Sequence, residues 1–298
     1  MPEKRVGITT KRKMENTGII TKEYVHTVIK KRRKDIHKGD CGRVLVIAGS
    51  KGMAGAAVLS GLGAYRAGSG LVRIAIDEEL FPIVQIGLPE ATCISRDAFS
   101  GTPSQYEQYD AIAIGPGLGD DKRNEEIIGN ILKNYGGTLV IDADGLNTIA
   151  RNDMTGEVRG TSADVVITPH EGEASRLLGI GLDKLRSMGR TEAALALSEK
   201  FSAVSVLKGA GSIVATAGGE TYINSTGNPG MATGGSGDVL TGVIASLAGQ
   251  GLSAEDAAKA GVFLHGLAGD IAANELSQHG LMAGDIARNI GYAVKTVI

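Results

Sequence analysis

The residues with the clearest chemical potential lie in the segment Asn224–Gly242, NSTGNPGMATGGSGDVLTG. Its glycines free the backbone to point several N–H groups at one place, and the helix predicted to follow adds its positive N-terminal end. We therefore predict an anion hole for phosphate oxygens, formed by Gly235, Ser236 and Gly237. Asp238 lies where this hole meets the helix, so its carboxylate could accept a proton from an attacking hydroxyl. The segment thus predicts phosphoryl transfer to a small hydroxylated substrate, with simple helix capping as the alternative role of Asp238.

A second candidate segment, TPHEGE, follows a strand-like run and opens a predicted helix. His170 and Glu173 are three residues apart, so they can share one face of its first turn. Ligands of open α/β sheets bind at the carboxyl ends of strands, which favours a functional role for His170. Glu173 could orient Mg²⁺ through water, or it could only stabilise the helix N-terminus. We expect the other four histidines to be structural: His26, His37, His265 and His279.

Charged side chains also follow two further strand-like runs. Asp142 and Asp144, in VIDADGLN, could bind a metal or substrate hydroxyls, or they could belong to a turn that caps a helix. Lys208 begins the segment Lys208–Ser212, KGAGS, which leads into a predicted hairpin. The Lys208 ammonium could neutralise nucleotide phosphates, and the loop could equally pack against an adenine ring.

Two common phosphate-binding motifs are absent from the sequence. No glycine-rich run is followed by the lysine of a P-loop, so the chain is not a P-loop NTPase. The run Gly115–Asp120, GPGLGD, follows a predicted strand but carries aspartate where a dinucleotide fingerprint needs its third glycine. This run is weak evidence for a phosphate site and is also typical of a tight turn that leaves a strand.

Short apolar runs alternate with helix-like segments, which predicts an α/β fold with a mostly parallel central sheet and helices on both faces. The predicted strands are Arg43–Ala48, Leu71–Ile76, Ala111–Ile114, Thr138–Ile141, Val165–Ile167 and Ala203–Leu207. Ser212–Ala215 and Glu220–Ile223 predict a β-hairpin at one edge of the sheet. The predicted helices are Ala54–Ala67, Glu173–Leu178, Thr191–Lys200, Val239–Ala248, Ala254–Glu275 and Ile286–Val297.

The length and composition are those of a globular protein with one large α/β domain. Of 298 residues, 42% are hydrophobic and 21% are charged. The 44 glycines, about twice the average frequency, indicate many tight turns and close backbone contacts. Residues 1–20 are polar and lack a clear period, so we predict a mobile N-terminal arm followed by a single domain over residues 21–298.

Charge and aromatic content argue against nucleic acid as a partner. The net charge is −2 and aromatic residues make up 4%, which leaves few stacking surfaces for bases. The basic run Lys30–Lys34 is typical of a solvated face, although a nucleic-acid or localisation role is the alternative. No signal peptide or membrane-spanning run is evident, and Cys41 and Cys93 fit no metal spacing. We therefore expect a cytoplasmic protein with free thiols and no membrane partner.

An ordered set of segments resembles the NAD(P)H-hydrate dehydratases of the ribokinase-like superfamily. The segments are HKGDCGRVLVIAGSKGMAGAA, AIGPGLG, VIDADGLN, TPHEGE, LKGAG and GNPGMATGGSGDVLTG, from about His37 to the C-terminus. The resemblance implies repair of hydrated NADH or NADPH. In that family the hydroxyl of the hydrate is phosphorylated at the expense of ADP or ATP, and loss of phosphate restores the ring. It also implies Mg²⁺, the S epimer as substrate, a homotetramer, and a dehydratase without an attached epimerase domain before His37.

The resemblance also implies roles for individual residues. Asp238 resembles the base that activates the substrate hydroxyl, and the predicted anion hole resembles that of the family. The positions that resemble contacts to the AMP moiety are Lys208, Gly209, Ala210, Gly211, Ser212 and Gly237. The positions that resemble contacts to the hydrate are Ala56, Gly117, His170 and Asp238.

Two other functions remain open at this point. A ribokinase-like kinase of a vitamin precursor, such as hydroxyethylthiazole or a pyridoxal-type alcohol, would use the same base and anion hole. A protein that binds a nucleotide without turnover would use the same glycine-rich loops, but it has no need of a base at Asp238.

Overall fold

A computed structural model describes residues 17–99 and 105–298, and within these ranges ten strands form one sheet. The strands are β1 (Thr17–Ile20), β2 (Arg43–Ile47), β3 (Leu71–Ile76), β4 (Thr92–Ser95), β5 (Ala111–Ile114), β6 (Thr138–Ile141), β7 (Asp164–Ile167), β8 (Val204–Leu207), β9 (Ile213–Ala215) and β10 (Thr221–Asn224). Their order across the sheet is β1-β10-β9-β8-β7-β6-β5-β2-β3-β4. Neighbours are parallel except where β9 pairs with β8 and β10, which confirms the mostly parallel α/β fold with an antiparallel hairpin.

Helices cover both faces of the sheet in the part of the chain that the structure describes. They are α1 (Lys22–Val28), α2 (Ala54–Ala67), α3 (Phe81–Gly87), α4 (Arg123–Asn134), α5 (Ala143–Arg151), α6 (Thr155–Gly160), α7 (Glu171–Leu178), α8 (Leu182–Met188), α9 (Arg190–Phe201), α10 (Ser236–Gly249), α11 (Ala254–Leu276) and α12 (Ala283–Val297). None of these helices combines the length and apolar character needed to cross a lipid bilayer.

Alternate side chains of β2 enter two separate hydrophobic cores. Val44 and Val46 pack in the core that also contains residues of α2, α10, α11 and α12. Leu45 and Ile47 pack in the opposite core, with residues of α4, α5 and α9. All four side chains are fully buried, as expected for a central parallel strand covered on both faces. The loops at the carboxyl ends of such strands are therefore held by a rigid double layer.

Helices α2 and α10 touch through their backbones. A Cβ atom at Gly63 would lie 2.5 Å from the carbonyl oxygen of Val239, and one at Gly242 would lie 1.9 Å from that of Ser60. These approaches require glycine at both positions, because any side chain would overlap the opposite main chain. The starts of α2 and α10, which carry predicted site residues, are consequently fixed relative to each other.

The N-terminal end of the chain differs from the prediction. Thr17–Ile20 form β1, which pairs in parallel with β10 and lies outside the hairpin as the outermost strand at that end. Ile20 is buried, so the predicted boundary of a mobile arm at residue 20 is wrong for its last four residues. The first sixteen residues of the predicted arm lie outside the described residues. The sequences of β1 (TGII) and β4 (TCIS) mix polar or small residues with apolar ones, so neither has the apolar run that marks the equally short β5 and β6.

Candidate active site

Loops at the carboxyl ends of β6, β7 and β8, together with the start of α10, surround a cavity of about 700 Å³. Ligands of open α/β sheets bind at this edge. The cavity lining includes His170, Glu173, Lys208, Gly209, Ala210, Gly211, Ser212, Ser236, Gly237 and Asp238. The structure therefore brings the predicted base, two of the predicted anion-hole residues and the whole Lys208–Ser212 loop to one place.

The start of α10 has the backbone geometry of an anion hole. Gly235 precedes the helix with a φ of 88°, in the left-handed region that glycine adopts at low cost. A Cβ atom at Gly235 would lie only 2.5 Å from Cδ1 of Leu59, so the close approach to α2 also requires glycine. The first N–H groups of an α-helix have no carbonyl partner within the helix and are available to an anion. Ser236 and Gly237 line the cavity at this point, and the Ser236 N–H also donates a long bond of 3.4 Å to the carbonyl oxygen of Thr233.

Asp238 lies in the first turn of α10 and lines the cavity. Burial, and after it the negative charge of Asp142, raise the pKa of Asp238 to about 7 against the opposing effect of Lys208. A carboxyl group with this pKa can take up and release a proton near neutral pH, as a general base must. The alternative role as a helix cap is not seen, because the N-cap residue is Gly235 and no side chain caps α10 there.

The ammonium of Lys208 is held by carboxylates beside the anion hole. Its Nζ lies 2.5 Å from Oδ1 of Asp142 and 3.8 Å from Oε2 of Glu173. Burial alone would lower the pKa of Lys208, but the surrounding carboxylates outweigh burial and raise it. A Cβ atom at Gly237 would lie 3.3 Å from this Nζ, so the positive charge is directly behind the backbone of the predicted anion hole.

The two acids of VIDADGLN are engaged by protein groups. Asp142 accepts a hydrogen bond from Thr241 Oγ1 at 2.7 Å with the oxygen that does not contact Lys208. Asp144 accepts the Gly119 N–H at 2.8 Å, and its other oxygen faces the amide of Asn147 at 3.3 Å. Among the described residues no group of three or more His, Cys, Asp or Glu side chains could hold a metal ion. Each oxygen of the two acids therefore already has a protein donor.

His170 and Glu173 form a reciprocal cap at the start of α7. Nδ1 of His170 accepts the N–H groups of Gly172 at 2.9 Å and Glu173 at 3.3 Å, while Oε2 of Glu173 accepts the His170 N–H at 2.8 Å. Burial raises the pKa of Glu173, and Lys208 opposes this shift. With Nδ1 as an acceptor, the proton of the neutral ring is on Nε2, which lies 3.3 Å from Oε1 of Glu173. Both residues combine a helix-stabilising contact with a place in the cavity wall.

Ala56 and Gly117 contact each other, but neither lines the cavity. Gly117 has a φ of 60°, and a Cβ atom there would lie 2.8 Å from the Cβ of Ala56. Gly235 approaches Leu59, one turn beyond Ala56, so this pair lies on the α2 side of the start of α10. The structure thus divides the predicted site residues between two sides of the anion hole, with the Lys208–Ser212 loop on one side and this pair on the other.

Two residues of α11 that were not predicted as site residues contact the glycine-rich segment that leads into α10. Asp270 accepts the Gly227 N–H at 2.8 Å and the Asn228 amide at 2.9 Å, which holds the glycine-rich loop against the helix. His265 lines the cavity, and its Nε2 lies 3.4 Å from Oγ of Ser236. His265 was expected to be structural, and the structure places it in the cavity wall. Both residues occur in the middle of a helical pattern, far from any strand end, so the sequence carried no signal for them.

Comparison with known proteins gives a consistent result. The NAD(P)H-hydrate dehydratase family model matches residues 44–291. The chain is 40% identical to the bifunctional NAD(P)H-hydrate repair enzyme of Moorella thermoacetica, over 95% of this chain and 56% of that protein. It is 36% identical to the ADP-dependent (S)-NAD(P)H-hydrate dehydratase of Neisseria meningitidis, over 87% of each chain. The ADP/ATP-dependent NAD(P)H-hydrate dehydratase of Bacillus subtilis, co-crystallised with ATP and Mg²⁺, has a TM-score of 0.86 and 31% identity, covering 95% of this chain and 100% of that one.

The sheet order and the glycine-rich helix start define a ribokinase-like α/β protein. The chain belongs to the NAD(P)H-hydrate dehydratase family, which confirms the resemblance seen in its sequence. It spans about half the length of the bifunctional relatives that it matches.

Proposed function

We propose that this chain dehydrates (S)-NAD(P)H hydrate to NAD(P)H at the expense of ADP or ATP. The observation that carries the proposal is the position of Asp238. Its carboxyl group has a pKa near neutrality, lines the cavity, and lies near the side of Gly235 that meets Leu59 of α2. A base at this point can accept the proton of a substrate hydroxyl whose oxygen faces a phosphate bound at the start of α10. Family membership favours this reaction over the vitamin-precursor kinase and over binding without turnover.

In the first step, Asp238 accepts the proton of the substrate hydroxyl while the hydroxyl oxygen attacks the terminal phosphorus of ADP. The bond from this phosphorus to the bridging oxygen breaks, and AMP leaves with the electron pair. The N–H groups of Ser236 and Gly237 receive the charge that develops on the phosphoryl oxygens. The protein contributes mainly orientation and charge stabilisation, which is what phosphoryl transfer requires.

In the second step, the phosphorylated hydrate eliminates phosphate. The ring nitrogen supplies electrons, the carbon–oxygen bond breaks, and phosphate leaves with the electron pair of that bond. Loss of a proton from the neighbouring carbon restores the double bond of the dihydronicotinamide. Phosphate is a good leaving group, so this step demands little of the protein beyond a dry, positioned site.

The nucleotide is proposed to occupy the cavity on the side of the Lys208–Ser212 loop. A volume of about 700 Å³ is within the range of small-molecule sites. Gly209 and Gly211 both have positive φ angles, which let the backbone of the loop turn towards a ligand. The Lys208 ammonium then compensates phosphate charge from behind Gly237, while Asp142 and Glu173 hold it in place.

The donor set at the cavity fits Mg²⁺ that arrives with the nucleotide phosphates. Mg²⁺ usually keeps several waters and binds phosphate oxygens with few protein ligands. Glu173 is the carboxylate proposed to hold one of these waters, because it lines the cavity, whereas Asp142 is hydrogen-bonded to the Lys208 ammonium and Asp144 does not line the cavity. The ion supplies neutralisation of phosphate charge when it is bound. The resemblance further supports a cytoplasmic homotetramer as part of this proposal.

The direct test is recovery of reduced nicotinamide absorbance from purified NADH hydrate. The protein is incubated with Mg²⁺ and either ADP or ATP, and the nucleotide products are separated by chromatography. Recovery of absorbance with stoichiometric AMP, or ADP when ATP is supplied, is expected. Absence of recovery with both nucleotides would overturn the proposal, and a stable phosphorylated hydroxyethylthiazole or pyridoxal would favour the kinase instead.

A further inference from the structure

A buried histidine faces the start of α10 from the opposite wall of the cavity. His265, in the middle of α11, is only 8% exposed, and its ring lines the cavity. Nε2 of His265 lies 3.4 Å from the hydroxyl oxygen of Ser236, the first residue of α10. The two-step reaction described above assigns no task to this imidazole, although it contacts the proposed phosphate site.

The protonation state of the ring limits what it can do. Burial lowers the pKa of His265 to about 4; a hydrogen bond with the backbone of Ser236 opposes this shift, and the charge of Lys208 adds to it. The ring is therefore neutral at physiological pH and has one donor and one acceptor nitrogen. A phosphate oxygen accepts hydrogen bonds, so a serine hydroxyl bound to it donates its hydrogen and keeps lone pairs for another donor. An N–H at Nε2 of His265 would be that donor.

The loop before α10 holds His265 in this position. Thr226 Oγ1 donates to the carbonyl oxygen of Phe263 at 2.8 Å, and the Asn224 amide donates to that of Val262 at 3.1 Å. A Cβ atom at Gly266 would lie 2.3 Å from Thr226 Oγ1, so the loop packs directly on the helix beside His265. The imidazole and the start of α10 are consequently parts of one hydrogen-bonded unit.

We propose that His265 is a positioning residue of the anion hole. Its Nε2–H donates to Oγ of Ser236 and directs the serine hydroxyl hydrogen towards a non-bridging oxygen of the transferred phosphoryl group. The proposal rests on the proposed function, because it takes the phosphate chain of ADP or ATP to lie at the start of α10. The proton of His265 stays on the ring throughout, and no covalent bond to the ring forms or breaks. Donation to Ser236 polarises the hydroxyl and strengthens its bond to the phosphate as charge develops.

A double-mutant cycle separates this role from packing. His265→Phe removes the donor and keeps a ring, and we expect about a tenfold loss of kcat with little change in the KM of the hydrate. In a Ser236→Ala background the same substitution should cost less than twofold, because the hydroxyl it directs is gone. His265→Gln retains an N–H donor and should recover part of the loss. Val262→Ala is the packing control on the same helix. Its effect on kcat should be the same in the wild type and in the Ser236→Ala background.

Nitrogen NMR of the histidine rings gives a readout that does not need the hydrate. With ADP and Mg²⁺ alone, the His265 signals should show a protonated Nε2 whose shift changes on ADP binding in the wild type and not in Ser236→Ala. An unprotonated Nε2 in the ADP complex would overturn the role of His265. The same conclusion would follow if His265→Phe lowered kcat as much in Ser236→Ala as in the wild type. If these signals behave as expected while no hydrate is repaired, the proposed function fails and the assignment of His265 stands.

Discussion

The carboxylate of Asp142 connects Lys208 to helix α10. One oxygen lies 2.5 Å from Lys208 Nζ, and the other accepts the hydroxyl hydrogen of Thr241 at 2.7 Å. Asp142 is 1% exposed, so this is a buried carboxylate with a partner for each oxygen. Removal of one member of a buried ion pair leaves the other charge without compensation. The position of the Lys208 ammonium behind the anion hole therefore depends on Asp142.

Asp142→Asn is expected to lower kcat roughly 10- to 100-fold, because Lys208 loses the partner that holds it behind Gly237. It should also destabilise the fold by about 3 kcal/mol. Thr241→Val is the matched control, since it removes only the second contact and should cost about 1 kcal/mol. Both rates are measured well below the melting temperatures of the variants. A wild-type kcat in Asp142→Asn would contradict the positioning role.

The pH dependence of the reaction should follow Asp238. Its pKa is raised to about 7, so the base form is lost as the pH falls through this value, and kcat/KM should decline on the acid side. The negative charge of Asp142 contributes to the raised pKa. The acid limb should therefore move to lower pH in Asp142→Asn. Profiles of kcat/KM at saturating nucleotide test this, and a limb that stays in place or moves upward in the variant would be inconsistent with it.

Asp238→Asn should lower kcat at least about 10³-fold while ADP binding is retained.

The stability of the protein provides a second test of Asp238. The folded-state pKa of about 7 exceeds the ordinary value of 3.8, so the folded protein binds the proton more tightly than the unfolded chain. The contribution of this group to stability is therefore fully present below about pH 4 and is lost as the pH rises through about 7. The neutral variant should melt roughly 2 °C or more above the wild type at pH 8, with little difference at pH 4. Equal differences at both pH values would argue against a buried, proton-binding Asp238.

Gly117→Ala should impair the hydrate side of the site. The residue has a positive φ, and the added methyl group would meet the side chain of Ala56. We expect the KM of the hydrate to rise about tenfold or more, while the dissociation constant of ADP changes less than twofold. Gly55→Ala is the control, because a methyl group there meets no atom within 4 Å. A parallel loss of ADP affinity in Gly117→Ala would show that the two sides of the anion hole are not separate.

Glu173→Gln distinguishes the two roles of this residue. The amide keeps the size of the side chain and the acceptor for the His170 N–H, but it removes the charge proposed to hold a Mg²⁺-bound water. The Mg²⁺ concentration for half-maximal activity should rise about tenfold at saturating nucleotide. A lower melting temperature with unchanged Mg²⁺ dependence would mean that Glu173 only stabilises α7.

Local patterns in the sequence were sufficient to predict most strands of the sheet and the charged residues that follow them. The run Arg43–Ala48 agrees with β2 within one residue, and the glycines before Asp238 mark the start of α10 because their conformational role is local. Parallel topology then explains why Lys208 and His170 meet at one edge.

The remaining contacts depend on packing between distant segments. His265 meets Ser236 across 29 residues, and Asp270 meets Gly227 across 43, because α11 folds back on the loop before α10. The hydrophobic periodicity of a sequence cannot indicate such a contact, because a buried histidine in an apolar helix gives the same pattern whether or not it faces a ligand. The pairing of Asp142 with Thr241, across 99 residues, was hidden for the same reason.

The glycine contacts between α2 and α10 have a consequence for the reaction itself. Gly63 and Gly242 bring the two main chains together with no side chain between them, and the first turns of these helices carry Ala56 and Asp238. In the proposed reaction, the distance between the accepting hydroxyl and the donating nucleotide is thus determined by the packing of two main chains. Side-chain variation elsewhere can change which molecules enter, but the gap that the phosphoryl group crosses is set by two helices in direct contact.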